Sequence, residues 1–126
     1  MTESAGAGAL EDTTYRLAVI DLLGVIAYGE LSAFDRLAED AKLAPTLDDK
    51  LAMAAMATAE FGHLAALRER IVELGAVASA AMAPFRDALD DFHAHTRPAD
   101  WYEGLIKAYV GDGLAADFYR EIAAYL

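Results

Sequence analysis

The chain contains no cysteine. That excludes disulfides, thiolate metal sites, iron–sulfur clusters and a cysteine nucleophile, so any metal would have to rest on histidine and carboxylates. Proline is scarce, with only Pro45, Pro84 and Pro98, and few points along the chain forbid a helix. Positive charge is also in short supply: 10 Lys and Arg stand against 21 Asp and Glu, a formal net charge of -11. Nucleic-acid binders normally carry a basic face, so a polyanion is a poor partner, and an anionic membrane surface is disfavoured for the same reason. No stretch approaches ~20 uninterrupted apolar residues, so no membrane-spanning helix is expected. Met1–Thr14 lacks the basic and apolar regions of a secretory signal, which makes the cytoplasm the expected location. Residues 1–13, small and polar, read as a loose tail.

What is present is one domain's worth of chain: 126 residues, 56% hydrophobic and 25% charged, enough apolar material for a single core. The helix formers Ala and Leu dominate, and no alternating strand run carries turn signals at both ends. The spacing predicts an all-α domain over residues 14–126. A first helix runs from about Thr14 to Leu43, with Leu17, Ile20, Gly24, Ala27, Leu31, Phe34, Ala38 and Ala41 on one face. Thr46 opens a second helix with Asp49 as a weak capping-box partner, and Gly75 closes it after Leu74. A long connection follows, with one short helix near Phe85–Phe92. Pro98 begins the last helix, with Asp100 and Glu103 in its first turns.

Ionisable residues fall where apolar ones are expected. On the second helix the stripe Met53, Met56, Glu60, His63, Leu67, Ile71, Leu74 carries Glu-x-x-His at its centre, and residues at i and i+3 point the same way. Glu30 lies beside Leu31 of the first stripe, and Asp112 is the one charge in Trp101, Leu105, Ala108, Asp112, Ala115, Tyr119, Ile122, Leu126. A buried lone carboxylate costs several kcal/mol or more in order of magnitude unless something pairs with it, and a metal ion is an efficient partner. Di-iron and di-manganese bundles take one Glu from each of two helices and Glu-x-x-His from each of the other two. Glu30, Glu60 with His63, and Asp112 match the first three contributions in order. Glycines flank the candidates (Gly29, Gly62, Gly111, Gly113), at roughly 0.8–1 kcal/mol each against alanine in a helix, which calls for close helix approach or open room.

The bland reading competes. Glu-x-x-His is common, bundle glycines often serve packing alone, and Arg16, Arg36, Arg68 or Lys107 could pair with the carboxylates. Asp90, Asp91, His93 and His95 form a weaker metal candidate, more often a solvated connection. Asp117 or Glu121 would replace Asp112 under a shifted register. Tyr28, Tyr109 and Tyr119 lie near the candidate centre, and Trp101 and Tyr102 read as anchors of the last helix.

The runs YGELSAF (Tyr28–Phe34), AEFGH (Ala59–His63) and KAYVGDGLAADFYREIA (Lys107–Ala123) resemble the actinobacterial ferritin-like fold proteins. Those are related to the tRNA 2-methylthio-N6-isopentenyladenosine hydroxylases, which are non-haem di-iron enzymes. The resemblance covers about Tyr15 to Leu126. It implies a ferritin-like antiparallel bundle of three long helices and one short connecting helix, and a di-iron cofactor, with manganese suited to the same ligands. It further implies the metal ligands Glu30, Glu60, His63 and Asp112, the last an Asp where the hydroxylases use Glu. The fourth, ligand-bearing helix of that family is absent from this chain. Two readings follow. One is a hydroxylase-like oxidoreductase using iron(II), dioxygen and an unidentified small-molecule substrate, with tRNA disfavoured by charge. The other is a non-enzymatic helical module that binds a partner helix or a second copy of itself, keeping part of the metal site. Iron storage without turnover is a lesser third.

Overall fold

A computed structural model describes residues 12–123, apart from the side chains of Ala116, Phe118, Tyr119, Ile122 and Ala123. The N-terminal tail expected at residues 1–13 lies almost wholly outside the described residues, as does Leu126. Three long helices carry the fold: α1 (Thr13–Asp40), α2 (Leu47–Glu73) and α5 (Trp101–Ala123). Between α2 and α5 run a five-residue helix α3 (Ala78–Met82), a 3₁₀ turn over Ala83–Phe85 and the ten-residue α4 (Arg86–His95). There is no strand among the described residues. The all-α expectation holds, and the connection is more helical than expected: α3 is an addition, and Pro84 sits in the first turn of the 3₁₀ segment, where its missing N–H costs nothing.

The helix ends follow the residue chemistry. Asp12 caps α1 by accepting from the Tyr15 N–H at 3.0 Å, and Thr46 caps α2 by accepting from Asp49 N–H at 3.1 Å. Gly75, at φ 88°, ends α2: its N–H donates to Val72 O (2.9 Å) and that of Ala76 to Ile71 O (3.1 Å), a Schellman closure. Pro98 precedes α5 rather than opening it. The α5 start at Trp101 is capped by Asp100, whose Oδ1 accepts from Glu103 N–H at 2.9 Å, while Glu103 reaches back to Ala99 N–H at 2.6 Å.

α1 is the central element, with α2 antiparallel to it along most of their length. Two apolar clusters form along this pair. One joins Val19, Ile20, Leu23 and Ala27 to Leu64, Ile71 and, from α3, Ala78 and Ala81. The other joins Leu37 and Ala41 to Met53, Ala57 and Trp101. Met53 and Ile71 are fully buried, one in each cluster. α5 crosses α1 antiparallel, with Gly104 against Asp40 and Asp112 toward Glu30.

Several expected faces shift. Leu17, Ala38 and Met56 are exposed, and Ala57 and Leu64 replace Met56 and His63 on the buried face of α2. A straight helix advances a little under four residues per turn, so a stripe read in fixed steps drifts off the contact line. Of the two aromatics at the start of α5, Trp101 is buried and Tyr102 exposed. By length and composition α1 is apolar enough to cross a membrane, contrary to the sequence reading of no such helix. What makes it a core helix here is that one face packs on α2 and α3 and that Asp21 and Glu30 interrupt it.

Candidate metal centre

Glu30 lies in the gap between the two apolar clusters, in the middle of α1. It is 3% exposed and sits on the face toward α2, where an apolar residue would normally stand. Glu60 and His63, one turn apart on α2, meet it there. His63 Nδ1 is 3.6 Å from Glu30 Oε2 and 3.6 Å from Glu60 Oε2, too long for hydrogen bonds. One donor atom from each of the three residues lies within 4.8 Å of the others. The Glu30 side chain is buried, that of Glu60 is largely so, and the His63 ring stands at the rim with more than half its surface in solvent.

This arrangement is electrostatically unfinished. Glu30 Oε2 is buried and has no hydrogen-bond partner among the described residues. Burial, then the adjacent Glu60 carboxyl, then the charge of Asp112 push the Glu30 carboxyl up to about 9. Two oxygens and a nitrogen at convergent positions, one of them orphaned, suit a divalent cation, which would replace the missing partner of Oε2. The donor set therefore fits one ion.

Asp112 stands apart. It is exposed on α5 and does not join the three-residue cluster, yet its charge acts on Glu30 and it lines the same cavity. That cavity, about 430 Å³, runs between α1 and α5, with Gly29, Ala33, Gly111 and Leu114 among its walls and Met56 and Glu60 reaching it from α2. A Cβ at Gly29, Gly62, Gly111 or Gly113 would meet no atom within 4 Å. These glycines leave room rather than permit close packing.

The close approaches are at Gly24, read from the sequence only as a position on the first helix's inner face, and at Gly104, which that reading did not name. A Cβ at Gly24 would lie 2.1 Å from the Ala81 carbonyl oxygen, so only glycine lets α3 cross α1. One at Gly104 would lie 3.4 Å from Asp40 Oδ2.

The second metal candidate is taken up by other bonds. Asp90 accepts from the Tyr28 hydroxyl, His93 Nδ1 lies 3.0 Å from Lys107 Nζ, and His95 Nδ1 lies 2.7 Å from Asp91 O. Burial, then the hydrogen bond to Asp90, push the Tyr28 phenol up to about 12. Tyr109 points into solvent, Asp117 pairs with Arg120, and Glu121 is exposed. The Tyr119 side chain lies outside those described. Sequence reasoning missed Arg36, Asp40 and Lys107 as residues lining or bordering the cavity; their one signal was charge on positions spaced along the inner faces of α1 and α5.

A search of curated proteins finds no match. Residues 13–126 match the family described as "Ferritin-like domain, actinomycetes", nearly the whole chain. An all-α bundle with carboxylates and a histidine converging between its first two long helices accords with that assignment, and the chain belongs to this actinomycete ferritin-like family.

Proposed function

We propose that the chain is a non-haem iron carboxylate protein of hydroxylase type, with Glu30, Glu60 and His63 as metal ligands and Asp112 as an oxygen donor from the opposite wall. The observation that carries this reading is the buried, unpartnered Glu30 Oε2 within reach of Glu60 and His63. When bound there, iron(II) would supply the ability to activate dioxygen for oxidation of a substrate carbon. The chain's own residues have simpler tasks. Glu30 gives up its proton to become a ligand. Glu60 and His63, fixed one turn apart on α2, orient the donor set. The apolar side chains of α1 and α5 line the cavity beside it. The three-residue cluster suits one ion, so a di-iron centre would draw further ligands from Asp112 and from outside the described residues. Manganese would accept the same donors.

Relationship to the tRNA hydroxylases remains supported by the three sequence runs alone. The charge of -11 argues for a small substrate instead of tRNA. A cytoplasmic setting, which supplies iron(II) and reductant, belongs to the same proposal.

A second reading rests on α5. Ile106, Tyr109, Val110 and Leu114 are at least half exposed, an unusual apolar display for a long helix. It favours a partner helix or a second copy of this chain packed there, with the metal cluster as a remnant. Iron loading together with the mass of the loaded species separates the two. Iron bound by the monomer supports the first reading, iron bound only by a dimer supports a shared centre, and a metal-free dimer supports the interaction module.

A further inference from the structure

Two buried side-chain polar atoms lack a partner among the described residues: Glu30 Oε2 and Arg36 Nε. Both residues line the same cavity, six positions apart on α1, a rise of ~9 Å along the helix axis. One is an acceptor wanting a cation; the other is a donor wanting an anion. The cavity thus has two poles.

The second pole is cationic. Arg36 from α1 and Lys107 from α5 line it, with His93 and Phe92 from α4 beside them. Lys107 Nζ is 3.0 Å from His93 Nδ1, donates to Thr96 O at 3.2 Å, and lies 5.7 Å from the Phe92 ring centroid. An ammonium group has three donors, so one is left for a ligand. A protonated lysine beside Nδ1 requires that nitrogen to be the acceptor, so His93 adds no charge here. Its pKa is lowered by burial first and Lys107 next. Asp40 is the one carboxylate at this end of the cavity. It is buried, and no salt bridge within 4.0 Å joins it to either cation among the described residues. Asp90 is engaged by Tyr28, and Asp35 and Asp90 line a neighbouring polar pocket. Two cations against one carboxylate leave the pole positive. Burial and then Arg36 lower the pKa of Lys107, and the charge of Asp40, which acts the other way, does not reverse the shift.

Between the poles the lining is apolar or absent: Ala33, Leu37, Val110 and Ala108, with open space at Gly29 and Gly111. We infer that the cavity binds an amphipathic anion, its carboxylate or phosphate head on Arg36 and Lys107 and its apolar body extended past Gly111 toward Glu30. A planar guanidinium beside an ammonium suits either oxyanion. The geometry would place the far end of the hydrocarbon, not the head, next to the Glu30–Glu60–His63 cluster. Calling this ligand a substrate rests on the metal reading above; its binding does not.

The test is titration of metal-free protein with octanoate, octyl phosphate, 1-octanol and inorganic phosphate, followed by calorimetry and by chemical shifts of α1 and α5. One of the two amphipathic anions is expected to bind at least tenfold more tightly than 1-octanol, and the tighter one names the head. Lys107→Met and Arg36→Met are each expected to lose tenfold or more. Gly111→Leu, which grows into open space and keeps the helical spectrum, should block binding. Lys42→Met, which removes an exposed cation outside the cavity, should leave it within about twofold. Equal binding of 1-octanol, binding of inorganic phosphate as tight as octyl phosphate, no binding of either anion, or full binding by folded Gly111→Leu would each overturn the inference. Octanoate binding in a protein that takes no iron would sink the metal reading and leave this site standing.

Discussion

Glu30 on α1 and His63 on α2 face each other at 3.6 Å, in a gap between two apolar clusters that include neither residue. The packing energy of the helix pair comes from the clusters on either side, at roughly 1.5–3 kcal/mol for each large side chain buried. The gap between them can therefore carry groups that do not stabilise the fold. A buried acid with an orphaned oxygen works against folding and persists because its neighbours hold it.

That cost has a pH signature. A carboxyl raised to about 9 in the folded chain, against ~4.3 unfolded, binds its proton more tightly when folded. The contribution is fully present below the unfolded value and is lost as pH rises toward the folded one. Metal-free wild type should thus lose Tm relative to Glu30→Gln progressively between about pH 4.5 and 9. Parallel Tm curves for the two proteins would show that Glu30 does not carry the proton. In the same window iron affinity should increase with pH, since binding displaces that proton.

Glycines on α1 divide into two kinds with opposite consequences. Gly24→Ala drives a Cβ into the Ala81 carbonyl and should destabilise by about 1–3 kcal/mol, through displacement of α3. Gly29→Ala meets open space and should stabilise by about 0.5–1 kcal/mol, the ordinary helix-propensity gain. Urea denaturation of both variants checks the contrast. A stable Gly24→Ala would mean that α3 does not cross α1 as described.

Tyr28 ties α4 to α1 through Asp90. Tyr28→Phe should cost about 0.5–1.5 kcal/mol, and amide exchange should quicken first over Arg86–His95. In Asp90→Asn the Tyr28 midpoint, expected at about 12 in wild type, should fall, as read by ultraviolet titration. An unchanged midpoint would remove Asp90 as a cause.

Ile71→Ala opens a hole in the cluster between α1, α2 and α3 and should cost about 2–5 kcal/mol. Circular dichroism melts measure it. A loss under 1 kcal/mol would mean that this cluster is not tightly packed.

Much of this was legible in the sequence because it depends on local chemistry. Thr46 before an acidic turn and Gly75 after Leu74 mark α2 from the residues alone, and Glu30, Glu60 and His63 stand out as polar positions on apolar faces. Other features depend on which helix crosses which. Gly24 looks like any helical glycine until Ala81 arrives on it from a helix more than fifty residues away. Lys107 and Arg36 read only as possible partners for the core-face carboxylates, since their shared cavity exists only once α5 lies antiparallel on α1. Asp112, read from its stripe as a fourth ligand, lies exposed on α5 outside the three-residue cluster while its charge still acts on Glu30, a spacing between helices that periodicity along one helix does not encode.

The central claim is metal binding by Glu30, Glu60 and His63. The direct measurement is iron content per chain after anaerobic Fe(II) loading and desalting, on wild type and on Glu60→Ala/His63→Ala, with oligomer mass read on the same samples. The account predicts at least one iron per wild-type chain and its loss in a double variant that keeps its helical spectrum. A folded wild type that retains no iron, or a variant that retains all of it, would contradict the account.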